Sequence, residues 1–236
     1  MPENPLLPHR KLRELHTLML RCRDLERKQK SRGPAREALL AATSIHLLPG
    51  DLLTAHPNDL VAQQLAPAAK KSAATSTLSN NPRLPLSAAA ARGLQASGTD
   101  GLVLAFASAG TPEPAWQQAA EWAQQSQLPL ILACTDATGG RTRSTKRDEP
   151  ALDYATMAKF AKRLKLPILT VDGEDAVAVY RVMQESVLRA RLGGGPAVIW
   201  AVMAPVSAST PKPPRSSQPI ARLENYLATR NIPFSR

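Results

Sequence analysis

Two rhythms of apolar and polar positions run along this chain. Between residues 11 and 30, Leu12, Leu15, Met19 and Cys22, with Leu18 and Leu25 beside them, recur at helical spacing against a basic opposite face. That pattern predicts an amphipathic helix. A second helix is predicted to open at Pro34, a favoured first-turn residue, and to stop before Pro49-Gly50-Asp51. Residues 66–85 are rich in Ala, Ser, Thr, Asn and Pro, show no period and read as loop. Leu86–Gln95, with the run Ala88–Ala91, reads as a short helix whose small side chains allow close packing.

From residue 102 the rhythm changes. Apolar runs at 102–107, 129–134, 167–171 and 197–202 predict strands, and helical stretches lie between them. One such helix carries Trp116, Ala119, Ala120 and Ala123 on a single face. The helix 152–165 directs Tyr154, Met157, Ala158, Ala161 and Leu164 inward, and another runs from Asp175 to Leu192 before Gly193-Gly194-Gly195. Strands alternating with helices predict an α/β fold of three layers, α/β/α, with a mostly parallel central sheet. The expected organisation is one α/β domain over residues 1–203, with a helical lead at 9–48 and the loop at 66–85. A Pro/Ser-rich linker follows at 204–218. Residues 219–236 form a docking helix, with Ile220, Leu223 and Leu227 on one face, and a tail.

The stretch 102–137 is the most telling. A strand leads into Ser108-Ala109-Gly110-Thr111, then a helix opened by Pro112 and Glu113, then a strand ending at Cys134-Thr135-Asp136-Ala137. In a βαβ unit of this layout the strand ends and the helix N-terminus face a phosphate-bearing ligand. Ser108, Gly110, Glu113 and Asp136 are therefore the candidate ligand-binding residues. No acid stands between residues 108 and 111, so an ordinary magnesium–diphosphate site is not evident there, and Pro112 and Pro114 remove two N–H donors. Glu113 reads first as a first-turn helix charge. Asp136 reads first as a strand-end aspartate, with metal ligation as the alternative. His56 and Asp59 read first as a turn-stabilising pair and second as groups that orient a ligand. His9, His16 and His46 read as surface or packed residues, the last two inside helices. No catalytic residue and no metal-ligand set follows from the spacing of His, Cys, Asp or Glu.

Composition narrows the picture further. The 236 residues hold one large or two small domains, and 43% hydrophobic residues with only 4% aromatics point to an interior of Ala, Leu and Val. No apolar run reaches the roughly 18–20 residues of a membrane span. The first residues lack the apolar core of a signal peptide. The expected location is the cytoplasm, with Cys22 and Cys134 as buried reduced thiols. The net charge of +11 gathers in the first helix, in Arg141–Arg147 and in Lys159–Lys165. Aromatic residues do not interleave it, so no specific nucleic-acid partner is expected, although a basic anion- or nucleic-acid-binding protein stays as one alternative.

Five stretches in order resemble the alpha subunit of the thiamine-diphosphate-dependent 2-oxo acid dehydrogenases, of the pyruvate and branched-chain type. Leu15–Lys28 is similar to that family's first helix. Arg36-Glu37-Ala38 through Leu48-Pro49-Gly50-Asp51 is similar to its Gln-Glu-Ala helix ending in Arg-Pro-Gly-Asp. Leu102–Cys134 resembles its cofactor strand, helix and Leu-Pro strand. Val171-Asp172-Gly173 through Val202 resembles its Val-Asp-Gly helix and Gly-Pro strand, and Pro219–Leu227 its closing helix.

The resemblance implies a thiamine-diphosphate-binding fold, thiamine diphosphate with Mg²⁺ as cofactors, a homodimer, and a beta-type subunit as further partner. The family's catalytic pieces are altered. Its Gly-Asp-Gly is Ser108-Ala109-Gly110 here, its metal-binding asparagine falls on Ala137, and its Arg-Asp-His is Asn58-Asp59-Leu60. Its His-Gly-His is replaced by Ala204-Pro205-Val206-Ser207. The expectation is a degenerate, alpha-subunit-like member, non-catalytic or impaired, that acts by assembly. The alternative is an active dehydrogenase subunit. Packing surfaces survive better than the site, so Trp116, Ala119 and Trp122 on the helix 113–126 are the expected interface residues.

Overall fold

The computed structural model describes residues 7–28, 35–56, 59–65, 70–71, 83–109, 111–136, 153–204 and 218–234. In chain order the elements are α1 (His9–Lys28), α2 (Glu37–Ser44), β1 (Leu52–Thr54), α3 (Leu60–Leu65), β2 (Lys70–Lys71), α4 (Arg83–Ala96), β3 (Val103–Ser108) and α5 (Glu113–Gln125). They continue with β4 (Leu130–Asp136), α6 (Tyr154–Leu164), β5 (Ile168–Asp172), α7 (Ala176–Arg191), β6 (Ala197–Val202) and α8 (Pro219–Ala228). The strands form one sheet in the order β2-β1-β3-β4-β6-β5, and every pairing is parallel. The alternation of apolar runs and helices is thus realised as the three-layer α/β/α fold it predicted.

Parallel crossovers are right-handed, so strand order dictates which face each helix covers. The steps β2→β3, β3→β4 and β4→β5 run one way along the sheet and carry α4, α5 and α6 to one face. The steps β1→β2 and β5→β6 run the other way and carry α3 and α7 to the opposite face. The two cores obey this. Val103, Ala105, Leu130, Leu132, Cys134, Val198 and Trp200 pack with Leu84, Trp116 and Phe160. Leu104, Phe106, Ile131, Ala133, Ile199 and Ala201 pack with α1, α2, α7 and α8 through Leu15, Leu39, Met183 and Leu223. Each central strand gives alternate residues to the two cores, as the two-residue period of a strand requires.

Three elements were not legible as periodic segments. β1, β2 and α3 lie where the sequence reads as connection, because strands of three and two residues and a helix of six are too short to show a period. α4 begins at Arg83, ahead of the expected Leu86. Pro85 falls in its first turn, where the missing N–H costs nothing. His46 lies in the turn after α2, not inside the helix. Gly173 closes β5 onto the end of β6. A Cβ there would displace Met203 Sδ and press on Ala201 and the Val202 carbonyl, so any larger residue must shift its neighbours.

At the amino ends of the strands, Asp51 ties the layers together. Its carboxylate is 1% exposed. Oδ1 accepts the Leu102 N–H at 2.9 Å and Arg191 Nη1 at 3.1 Å; Oδ2 accepts the Leu48 N–H at 2.7 Å and Arg191 Nη2 at 2.6 Å. Removing one member of such a buried pair strands the other and leaves two backbone N–H groups unpaired. Asp51→Ala is expected to cost about 3–5 kcal/mol of folding stability, measured by urea denaturation. A loss below about 1 kcal/mol, the level of a surface ion pair, would refute this role.

Candidate functional site

Ligands of parallel α/β sheets bind beyond the carboxyl ends of the strands, where adjacent strands send their helices to opposite faces. Here β1 is followed by α3 on one face and β3 by α5 on the other, so a crevice opens between the ends of β1 and β3. The ends of β3 and β4 lie next to it.

Ser108 ends β3 with its side chain exposed. It closes a tight turn in which the Thr111 N–H donates to the Ser108 carbonyl at 2.9 Å. The Ala109 N–H donates to the Thr135 carbonyl at 3.0 Å, and Thr135 Oγ1 donates to the Ala107 carbonyl at 3.2 Å, which joins the ends of the two strands. Asp136 ends β4 and is 3% exposed. Its Oδ2 accepts the indole N–H of Trp200 at 3.1 Å, and its carbonyl accepts the Met203 N–H at 2.8 Å. Glu113, in the first turn of α5, accepts Gln117 Nε2 at 2.7 Å along its own helix. The fold therefore brings Ser108 and Asp136 to neighbouring strand ends, with Glu113 bonded within its helix beside them. Gly110 and Ala137 lie outside the described residues, as does the basic stretch 141–147.

At the end of β1, Asp59 pairs with Arg36 through both carboxylate oxygens, at 2.6 and 3.2 Å, and caps α3 by accepting the Ala62 N–H at 3.1 Å. Its own N–H donates to the His56 carbonyl at 2.8 Å. Across this strand end stands Arg83, the first residue of α4. Its guanidinium belongs to a residue only 9% exposed, and Nε and Nη1 are buried with no hydrogen-bond partner among the described residues. No local pattern marks Arg83, because it lies within the aperiodic stretch 66–85.

A family model described as the dehydrogenase E1 component matches residues 57–204. The chain belongs to that family. Among solved structures, it is similar to a chain from Mycobacterium smegmatis assigned as a thiamin diphosphate-dependent enzyme. The identity is 14% and the TM-score 0.53, over 74% of this chain and 33% of that one. A likeness at that identity concerns the fold. Benzoylformate decarboxylase from Polynucleobacter necessarius also matches, at 12% identity and a TM-score of 0.46, over 87% of this chain and 35% of that one. This chain thus spans about a third of the length of the solved structures it matches. No curated protein matches it.

Within this chain, the expected interface helix divides its residues. Trp116 and Ala119 are fully buried in the core shared by α4, α5 and α6, and the Trp116 indole N–H has no partner there. Trp122 is 38% exposed on the other side of α5. Cys22 and Cys134 are both free and buried. His16 is buried, with Nε2 3.2 Å from Glu224 of α8. His46 packs on the Tyr180 ring, and burial holds its pKa down at about 4. Among the described residues no helix is long and apolar enough to cross a membrane.

Behind Asp59 lies a cluster of charge. Arg23 donates to Glu37 through Nε at 2.8 Å and Nη2 at 2.6 Å, while Glu26 Oε1 sits 3.8 Å from Arg36 with no hydrogen bond. Burial first, and the Glu37 charge second, push the Glu26 carboxyl up from 4.5 to about 7. Its folded pKa exceeds its unfolded one, so the native state favours the protonated acid. The destabilisation is absent below pH 4.5 and grows as the pH rises through about 7. Glu26→Gln is therefore expected to raise stability on the order of 1–3 kcal/mol at pH 8 and to change little at pH 4. Denaturant melts of both proteins across this range check it. A variant that loses stability at pH 8 would show that the ionised carboxylate holds Arg36 in place.

Proposed function

We propose that this chain is a degenerate, alpha-subunit-like member of the dehydrogenase E1 component family, impaired in or without decarboxylation chemistry of its own, which acts by assembly. The observation that carries this reading is the donor set at the ends of β3 and β4. A magnesium ion shared with a diphosphate needs octahedral oxygen ligation, with oxygens from the protein completing the shell. Ala109 stands where the resemblance places the metal-binding aspartate, and Ala137 where it places the asparagine. The nearby acid, Asp136, is buried beneath Trp200 and accepts its N–H. These residues do not fit the clamp, so no reaction step is derived through the cofactor.

Family membership supports thiamine diphosphate as the ancestral ligand. Calorimetry with thiamine diphosphate and Mg²⁺ is the test, and no micromolar complex is expected. Micromolar binding abolished by Asp136→Ala would overturn the reading in favour of an active dehydrogenase subunit that uses Asp136 and residues of a partner.

Assembly is the second half of the proposal. We infer a homodimer, extended by a beta-type subunit, with α5 at the contact and Trp122 as its anchor. An aromatic side chain with open surface suits the centre of an interface, and Trp122 has that surface. Free, buried cysteines fit a reducing compartment such as the cytoplasm. Light scattering at micromolar concentration is expected to give twice the mass of 25.4 kDa, with Trp122→Ala shifting the equilibrium toward monomer. A monomer that stays unchanged when a beta-type subunit is added refutes the assembly.

A further inference from the structure

We propose that Arg83 forms a metal-independent site for a phosphoryl oxyanion in the crevice beside the carboxyl end of β1. Location comes first. Ser87, one turn beyond Arg83 in α4, places its Oγ 2.6 Å from the hydroxyl of Thr54, the last residue of β1, and donates to the Arg83 carbonyl at 2.9 Å. Arg83 therefore stands past the strand end. Its guanidinium interacts electrostatically with Asp59. Asp59 opens α3 and Arg83 opens α4, and these helices cover opposite faces of the sheet. Arg83 and Ser87 are four residues apart and share a face of α4; Ser87 turns that face toward the end of β1, and Arg83 is buried on it.

Chemistry comes second. An arginine keeps its charge in a protein, and a buried charge without a partner is costly. Burial disfavours the Arg83 cation, and among the described residues the Asp59 charge offsets it in part. That charge is already engaged, because both Asp59 oxygens are bound by Arg36. Two buried guanidinium nitrogens of Arg83, Nε and Nη1, remain without a hydrogen-bond partner among the described residues. A guanidinium matches a phosphoryl oxyanion through paired hydrogen bonds, and the first turn of α4 adds the positive end of a helix of 14 residues. Pro85 takes one N–H out of that turn, so the guanidinium is the main source of positive potential. The repulsion from Asp59 is reduced by its pairing with Arg36.

The inference rests on the reading above only for the loss of the metal. The test is calorimetry of the full chain with pyrophosphate, and separately with orthophosphate, in EDTA. Pyrophosphate is expected to bind without divalent cation. Arg83→Met should weaken it about tenfold or more, as the loss of a charge-assisted bidentate contact does. Arg92→Met removes an exposed charge from the same helix and should leave the affinity unchanged, which separates the site from attraction by a chain of net charge +11.

In anion-free buffer Arg83→Met should melt at the same temperature as the parent or higher, because an apolar side chain replaces an unpaired buried cation. Should that variant fail to fold, Arg83→Lys keeps the charge without the fork and should bind several-fold more weakly. Absence of binding by either anion at millimolar concentration overturns the inference and leaves the proposed function standing. So does equal binding by the Arg83 and Arg92 variants. Binding that appears only with Mg²⁺ overturns both.

Discussion

Asp51 places a negative charge where almost no water reaches it, and hydrogen bonds from three parts of the chain, two of them distant in sequence, converge on it. The turn after α2, the residue before β3 and the end of α7 all donate to one carboxylate. Such a group is costly alone and favourable only when every bond is made. It therefore enforces agreement among elements that a sheet of short strands would otherwise hold loosely. β1 has three residues and could slip in register. Its pairing with β3 is fixed because Asp51, the residue before it, is bonded to Leu102, the residue before β3. Arg191 also reaches the Asp100 carbonyl at 2.6 Å, so α7 is locked to the same edge.

This lock sits at the amino ends of the strands, and the candidate site sits at the carboxyl ends. The separation has a consequence for how the chain tolerates change. Residues at 108–110, 136 and 137 can depart from the family's ligand pattern without touching the bonds that set register. The carboxyl end keeps its own tie, the Asp136–Trp200 bond between β4 and β6. There a carboxylate at a strand end serves packing: it satisfies the N–H of one of the two tryptophans in that core. The fold thus persists under a site whose donors differ from those the resemblance implies.

Much of the fold was legible because its central elements are long enough to show a period. β6 was read to its ends, and β3, β4, β5, α5 and α7 to within two residues or so, since alternating strands and helices each bury a continuous face. What was not legible has physical reasons. β1 and α3 are short and are held by tertiary bonds, among them Asp51 to Leu102 and Asp59 to Arg36, which no local pattern announces. The Trp116 and Ala119 stripe was plain in the sequence, but a helical stripe says only that a face is apolar. Whether that face meets the chain's own sheet or a partner is decided by topology, and here right-handed crossovers turn it inward. The candidate site was half legible. Strand ends and a helix opening pointed to Ser108, Glu113 and Asp136, whereas the partner of Asp136, Trp200, is 64 residues away in sequence.

Arg83 shows the same limit from the other side. In sequence it is one arginine among many in a basic chain, within a stretch of no period, and nothing local separates it from the surface. Its standing comes from two facts of packing. The Thr54–Ser87 hydroxyl pair pins α4 over the end of β1, and Asp59 is turned away by Arg36. The first puts a cation where water is scarce; the second withholds the counter-charge within reach. Elsewhere among the described residues this protein pairs its buried or half-buried arginines: Arg23 with Glu37, Arg36 with Asp59, Arg191 with Asp51. A chain that satisfies those three and leaves the most deeply buried of the four without a hydrogen bond has concentrated an electrostatic demand at one point. That point lies in the crevice where parallel α/β sheets receive their ligands.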